Sequence, residues 1–198
     1  MIKYAKKSLY AAALLCAVSA TGAFAQTTVN VPVTASIDNT VTVNQGTPMN
    51  FGTIVAIPSA DQTTTTTIST DGNLTTDVGG SGSGAISSIV DDSAATPATV
   101  EISDAADGAE LNITIENVVG PSDGGTESFT MDTFTYRFNN QLSEQSATID
   151  TAFQVNYNAS VGGGINTLDI GATITGGTGD SFTSTSPYTG SFDVTVNY

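Results

Sequence analysis

The sequence has no histidine, no tryptophan and a single cysteine, and its 198 residues include four Lys plus Arg against 19 Asp plus Glu. Each shortage closes a class of function. Without histidine, and with Cys16 set in an apolar N-terminal stretch, the chain offers no Ser–His or Cys–His nucleophile pair. The same shortages remove the soft ligands that zinc and iron–sulfur sites need. Three of the basic residues, Lys3, Lys6 and Lys7, lie in the first seven positions, which leaves Arg137 as the only other cation. Nucleic acid is therefore excluded as a partner, because phosphate backbones are held by clustered Lys and Arg. Phosphate and carboxylate substrates would be repelled by the field of so acidic a chain. Two carboxylates could run glycoside hydrolysis, but the Trp or His platforms that usually accompany them are missing. The expectation is a protein that is not an enzyme and carries no cofactor, calcium being the one candidate ion.

Residues 1–25 read as a removable leader. A basic start precedes an apolar stretch from about Leu9 to Ala20, and Ala23-Phe24-Ala25 forms an A-x-A cleavage site. The apolar stretch is short for a bilayer span, which needs roughly 20 residues. Cys16 follows Leu15 inside this stretch and reads as a small hydrophobe rather than a lipid attachment point. Removal of the leader gives a domain of residues 26–198 with one Arg against 19 acids, a formal charge of −18, and no Lys, Cys or transmembrane segment. The expected destination is the periplasm, the cell surface or the medium. Self-formed Lys–Asn cross-links are excluded there, and stability must come from packing and sheet hydrogen bonds.

What the domain has in abundance is threonine, 32 residues of it after position 25. With Val, Ile and Phe it favours half-buried pleated surfaces, while Gly, Asn, Asp and Ser punctuate the chain as turns do. Apolar residues recur with period 2 nearly everywhere; Asn139–Thr148 is the best helical window, yet it builds no apolar face. Val29, Val31, Val33, Ala35 and Ile37 alternate in a first extended segment, with Val41 and Val43 continuing it. Further strands are expected at 49–57, 63–69 (an edge strand), 98–103 and 110–117 (a hairpin across DAADGA), 127–138, 147–158, 168–174 and 191–198, with 70–84 a long hairpin or loop. About nine short strands with frequent turns predict an all-β fold, a single antiparallel β-sandwich of immunoglobulin-like, pilin-like type. In the last segment Phe192, Val194, Val196 and Tyr198 share one face, opposite Ser191, Asp193, Thr195 and Asn197. Such a terminal strand is either tucked into a sheet or left as an open edge.

The residues Asn50-Phe51-Gly52-Thr53-Ile54-Val55, the stretch Leu168–Ile174, the region Ala98–Ile115 and the ending Tyr188–Tyr198 resemble the bacterial family DUF4402, a domain of unknown function. The layout of that family is similar to spore-coat U and fimbrial subunit domains. That similarity implies a surface subunit that assembles with like copies by strand donation, in which an extended segment of one subunit completes the sheet of the next. Val29, Val31 and Val33 would then be donor side chains, and the strand of Phe192, Val194, Val196 and Tyr198 an edge that a periplasmic chaperone could grip. Two departures count against donation: the disulfide of most fimbrial subunits is missing, and Val29–Ile37 runs on without a separate extension, as an ordinary first strand would.

Other signals have less reach. Asp71 with Asn73, Asp91 with Asp92, and Asp104 with Asp107 are oxygen-rich turns that could hold calcium in a binding module, or stand solvated. Gly176-Gly177-Thr178-Gly179-Asp180 occurs once, whereas calcium-binding repeats of that kind need stacking. Gly80-Ser81-Gly82-Ser83-Gly84 lacks dinucleotide spacing and reads as a flexible loop. Asn73, Asn112 and Asn158 open triplets with glycosylation spacing, silent in a bacterium. Arg137 is expected to pair with a carboxylate on the sheet surface. A small outer-membrane barrel would need longer strands with aromatic girdles. The remaining alternative is an extracellular binding module for calcium or a neutral glycan.

Overall fold

The computed structural model describes residues 40–124, 127–180, 182 and 187–198, together with Pro32 and Thr34. Asp38–Tyr198 forms one compact unit, distinct from Met1–Ile37, and the fold below is that of this unit. The alternation at Val29–Ile37 lies outside the described residues, apart from Pro32 and Thr34. Twelve strands and one 3-10 turn follow one another, and no helix among the described residues is long and apolar enough to cross a membrane. The strands are β1 Thr42–Gln45, β2 Thr53–Ile57, β3 Gln62–Ile68, β4 Leu74–Gly80, β5 Ile86–Asp91 and β6 Ala98–Ser103. After these come β7 Glu110–Ser122, β8 Thr130–Phe138, β9 Gln145–Ala147, β10 Phe153–Asn156, β11 Asn166–Gly176 and β12 Thr189–Asn197.

The spine of the larger sheet is β11. Along one of its edges β8 runs antiparallel from Leu168 to Thr175. Along the other, β6 pairs with Asn166–Ile170 and β3 with Ala172–Gly176, so two strands lie end to end. Gly171 marks their junction. A Cβ there would stand 2.5 Å from the Ile68 carbonyl oxygen and 2.7 Å from Thr135 Oγ1, so only glycine lets the strands approach this closely. β1, β4 and β9 extend the sheet beyond β6, β3 and β8. The second sheet has the order β10-β7-β12, and β2 pairs with β5 in a two-stranded ribbon.

Period-2 patterning puts one face of each sheet inside. Ala98, Val100 and Ile102 of β6, Leu111, Ile113 and Ile115 of β7, and Leu168, Ile170, Ala172 and Ile174 of β11 are buried together with Phe134 and Phe138. In β8, Met131 opposes Ile174 and Thr133 opposes Thr173, so Asp132 is the extra residue of a bulge. The bulge lets Met131 and Phe134, three apart, face the same core. Phe134 and Phe192 meet edge to face across the two sheets, with centroids 5.2 Å apart.

This is the sandwich class expected from the sequence, and its sheets are not closed into a barrel. Several details differ. Among the described residues there are twelve strands rather than about nine, because the stretch expected as a long hairpin or loop supplies β4, hairpinned to β3, β5 breaks strict alternation, and 147–158 divides between two sheets. The Thr run forms an interior strand, not an edge: β3 lies between β11 and β4, with Thr64 and Thr66 buried. β6 and β7 do not form a hairpin but sit in different sheets. Each has one apolar face, and those faces bury best against one another across the core. The DAADGA connection therefore crosses between layers, tied to Tyr157 through Gly108 N–H to Tyr157 C=O and Tyr157 N–H to Ala109 C=O.

Candidate functional site

The opening of the sandwich lies beside β12. β12 pairs with β7 on one side only; no strand among the described residues pairs with its other edge. That edge forms one wall of a groove of about 1040 Å³. The facing wall is the chain from Val43 through Phe51 to Ile54. The floor is the core itself, reached at Val100, Met131, Ile174 and Phe129. Toward Ile57 the groove continues into a smaller cavity of about 190 Å³ against Phe129, Phe182 and Tyr188. There Phe129 and Phe182 stack at 4.1 Å, with Tyr188 edge-on to both.

Local sequence explains why the wall is held in place. The β12–β7 pairing slips twice, between Thr189 and Ser191 and between Ser191 and Asp193. At that point Gly190 packs so closely that a Cβ would stand 2.5 Å from the Val119 carbonyl oxygen. Phe192, Val194 and Val196 are half-buried, Ser191, Asp193 and Asn197 are exposed, and Thr195 breaks the alternation by being half-buried too. Tyr198 departs from the expected face: it is 46% exposed, and its hydroxyl donates to the Thr40 carbonyl at 2.9 Å. The polar face is pinned by Asn117 Nδ2 donating to Asp193 (2.9 Å) and by the Thr195 hydroxyl donating to Glu116. Asp193 is the only charged residue among the described residues that line the groove, and its carboxylate accepts from Asn117 on the outer face. The groove presents β12 main chain and a floor that reaches the apolar core.

The acidic turns do not gather. Asp71 accepts from the Ser69 hydroxyl and from Asn73 Nδ2, the Ser69 bond holding its carboxyl below the ordinary value. Asp91 is lowered by its hydrogen bonds from Ser93 and lies in another loop beside Asp92. Asp104 sits at φ +64° after β6, and Asp107 accepts from the Ala159 N–H at 2.9 Å. Asp71 and Asp91 serve their own turns, whereas Asp107 reaches the loop at Ala159, and no three such side chains among the described residues are grouped to hold a metal ion. Arg137 pairs with Asp169 across β8 and β11 at 3.7 Å and donates to the Thr70 carbonyl. The ion pair expected of Arg137 is thus present, but it lies largely covered rather than on the sheet surface. Asp169 nonetheless has its pKa raised, because burial outweighs the guanidinium.

The sequence reading found one wall and missed the other. Met49, Phe51 and Ile54 read as an apolar strand, but the strand is Thr53–Ile57, and Met49–Gly52 lines the groove, held by a single bridge of Asn50 to Thr96. The half-apolar stretch Met49–Ile57, with Gly52 at φ +65°, is the signal that could have shown it.

An open-edged β-sandwich whose groove reaches its own core is the class of protein defined here. Residues 40–198 match the model of the family described as Domain of unknown function (DUF4402), and the chain belongs to that family. No curated protein and no solved structure matches it.

Proposed function

We propose that this chain is an exported structural protein of the cell surface, a fimbria-like or coat-like subunit that associates by strand pairing along β12. The observation that carries the reading is the outer edge of β12, unpaired among the described strands, whose Thr189–Val194 stretch lines a groove that reaches the apolar core. An edge of this kind recruits an extended segment through main-chain hydrogen bonds, while alternating side chains in the groove set register. The chain assigns no residue to catalysis, and its acidity after Gln26 keeps unassembled copies apart. A periplasmic chaperone fits the same edge before assembly.

The test is direct. The chain from Gln26 onward, purified and concentrated, should form ladders on native gels and filaments by electron microscopy. A monomer at all concentrations would remove the proposal. The second reading is a binding module for a neutral glycan or calcium, supported by a groove at the upper end of the roughly 300–1,000 Å³ of ligand pockets. A rise in melting temperature with either ligand, in a protein that stays monomeric, would select it.

A further inference from the structure

We infer that the outer face of the larger sheet is an ice-binding surface, a grid of threonine hydroxyls and methyls that docks on the ordered water of a crystal face. The inference goes beyond the strand-pairing reading and does not rest on it. Strand register builds the grid. Thr67 of β3 stands between Thr75 of β4 and Thr173 of β11, and Thr173 stands opposite Thr133 of β8. The next row on the same strands is Asp77, Thr65, Thr175 and Thr130, and Thr63 extends β3 beside Gly79. Two rows of four positions thus hold seven threonines and, at one corner, one aspartate. Thr75, Thr130 and Thr133 are exposed, and Thr63, Thr65, Thr67, Thr173 and Thr175 are half-buried. Their neighbours Thr64, Thr66, Ala172 and Ile174 are buried on the opposite face. The bulge at Asp132 fits β8 to the grid: it turns Thr130 and Thr133, three apart, to the same side, so both rows run on to the fourth strand.

Spacing, stiffness and charge point to ice. Neighbouring strands lie about 4.8 Å apart, and alternate residues along a strand about 6.7 Å. Hydroxyls repeated at these intervals come close to the oxygen repeat on a prism face of ice. Twist accumulates from strand to strand, so the fit is best over the central pair, β3 and β11. Threonine is stiff at χ1, so docking has little left to order. The Thr67 and Thr173 hydroxyls share a hydrogen bond at 2.8 Å, and those of Thr65 and Thr130 donate to the Asp77 and Thr175 carbonyls. Each oxygen keeps acceptor capacity for water.

Ice carries no net charge, and a charged side chain pressed against it would lose favourable liquid hydration. The four strands carry four charged residues, Asp77, Asp132, Arg137 and Asp169, and none falls among Thr65, Thr67, Thr173 and Thr175. A polysaccharide surface would call for aromatic platforms. The aromatic residues of these strands, Phe134, Tyr136 and Phe138, instead pack into the core.

The test is slow freezing of the purified protein with serum albumin added, measuring the share of each taken into the ice, while small crystals in the same solution are watched for facets. The unaltered protein should be enriched in the ice over albumin and should facet the crystals. Thr173→Tyr at the centre of the face and Thr133→Tyr at an exposed position should each lower the ice-bound fraction about tenfold, by holding the face off the crystal, with circular dichroism unchanged. If Thr173→Tyr does not fold, Thr133→Tyr decides. Ser88→Tyr, exposed on the β2–β5 ribbon, should leave ice binding as it was. Exclusion of the unaltered protein from the ice along with albumin overturns the inference, and capture on insoluble cellulose or chitin would then give the face to a polysaccharide. Undiminished ice binding by the folded threonine variants, or an equal loss in Ser88→Tyr, overturns it as well.

Discussion

Asn166 is fully buried at the start of β11, and its replacement by leucine of similar size tests how the loops at this end of the sandwich are held. Its Oδ1 accepts from Asn139 Nδ2 at 2.6 Å and from the Asn158 N–H at 3.0 Å, and its Nδ2 donates to the Asn158 carbonyl at 2.9 Å. Asn139 in turn uses its Oδ1 to accept from the Thr167 N–H at 3.0 Å while holding φ +50°. One side chain therefore satisfies the Asn158 N–H, shares its carbonyl with the Val161 N–H, and orients the turn after β8. Asn166→Leu keeps the volume and leaves two part-buried donors, Asn139 Nδ2 and the Asn158 N–H, without this partner, at about 1–3 kcal/mol each before relaxation. The expected loss is about 2–4 kcal/mol, a large share of the roughly 5–15 kcal/mol that holds a domain together. For a domain of this size that lowers Tm by about 5–15 °C. Urea titration followed by circular dichroism, with m unchanged, gives the number. A loss under about 1 kcal/mol would mean that the network is bystander geometry and that the loops are held by packing alone.

Three further substitutions probe separate features. Gly171→Ala should cost about 1–3 kcal/mol by forcing β3 and β8 away from β11, read as a lower urea midpoint. Thr64 Oγ1 is buried with no hydrogen-bond partner, so Thr64→Val should raise stability by about 1 kcal/mol in the same assay; a loss would reveal an unseen partner. The Asp169 carboxyl is raised above 3.8 by burial, partly offset by Arg137, so the fold holds this proton more tightly than the unfolded chain does. Its contribution to stability is complete below 3.8 and declines as pH rises through the elevated value. Asp169→Asn should flatten that part of the stability–pH curve, and Arg137→Gln should move the carboxyl titration, followed by carbon NMR, higher still.

Much of this fold is legible residue by residue. The alternations Leu111-Ile113-Ile115, Phe134-Tyr136-Phe138 and Phe192-Val194-Val196 announce one-faced strands, and each occupies the strand expected of it. What alternation does not carry is partnership. β6 and β7 look like a hairpin because they are neighbours in sequence, but the burial of both apolar faces is satisfied only across the core. The Thr run of β3 looks like an edge because threonine tolerates water, yet Thr64 and Thr66 are buried beneath the β2–β5 ribbon, where the Ser87 hydroxyl donates to the Thr65 carbonyl. The candidate site divides in the same way. Its β12 wall follows from pattern, whereas the facing Val43–Ile54 wall depends on long-range placement that local spacing does not encode.

The lengths of the sheet edges give the site its meaning. An unpaired edge is an invitation to aggregate, and natural sheets blunt it with brevity, charge, bulges or cover. Here β1, β9 and β10 are edges of four, three and four residues. β4 is longer, but it carries Asp77, ends in Gly79-Gly80, and has β5 packed beside it through the Thr76 hydroxyl donating to the Ser87 carbonyl. Among the described strands only β12 combines nine residues, half-buried Phe192, Val194 and Val196, a single charge at Asp193 and an open groove. Its two bulges lie between Thr189 and Asp193, in the same stretch of the strand that lines the groove. The one long edge left open is therefore the edge on which the proposed strand pairing rests, and the 19 acids would act on free copies by mutual repulsion.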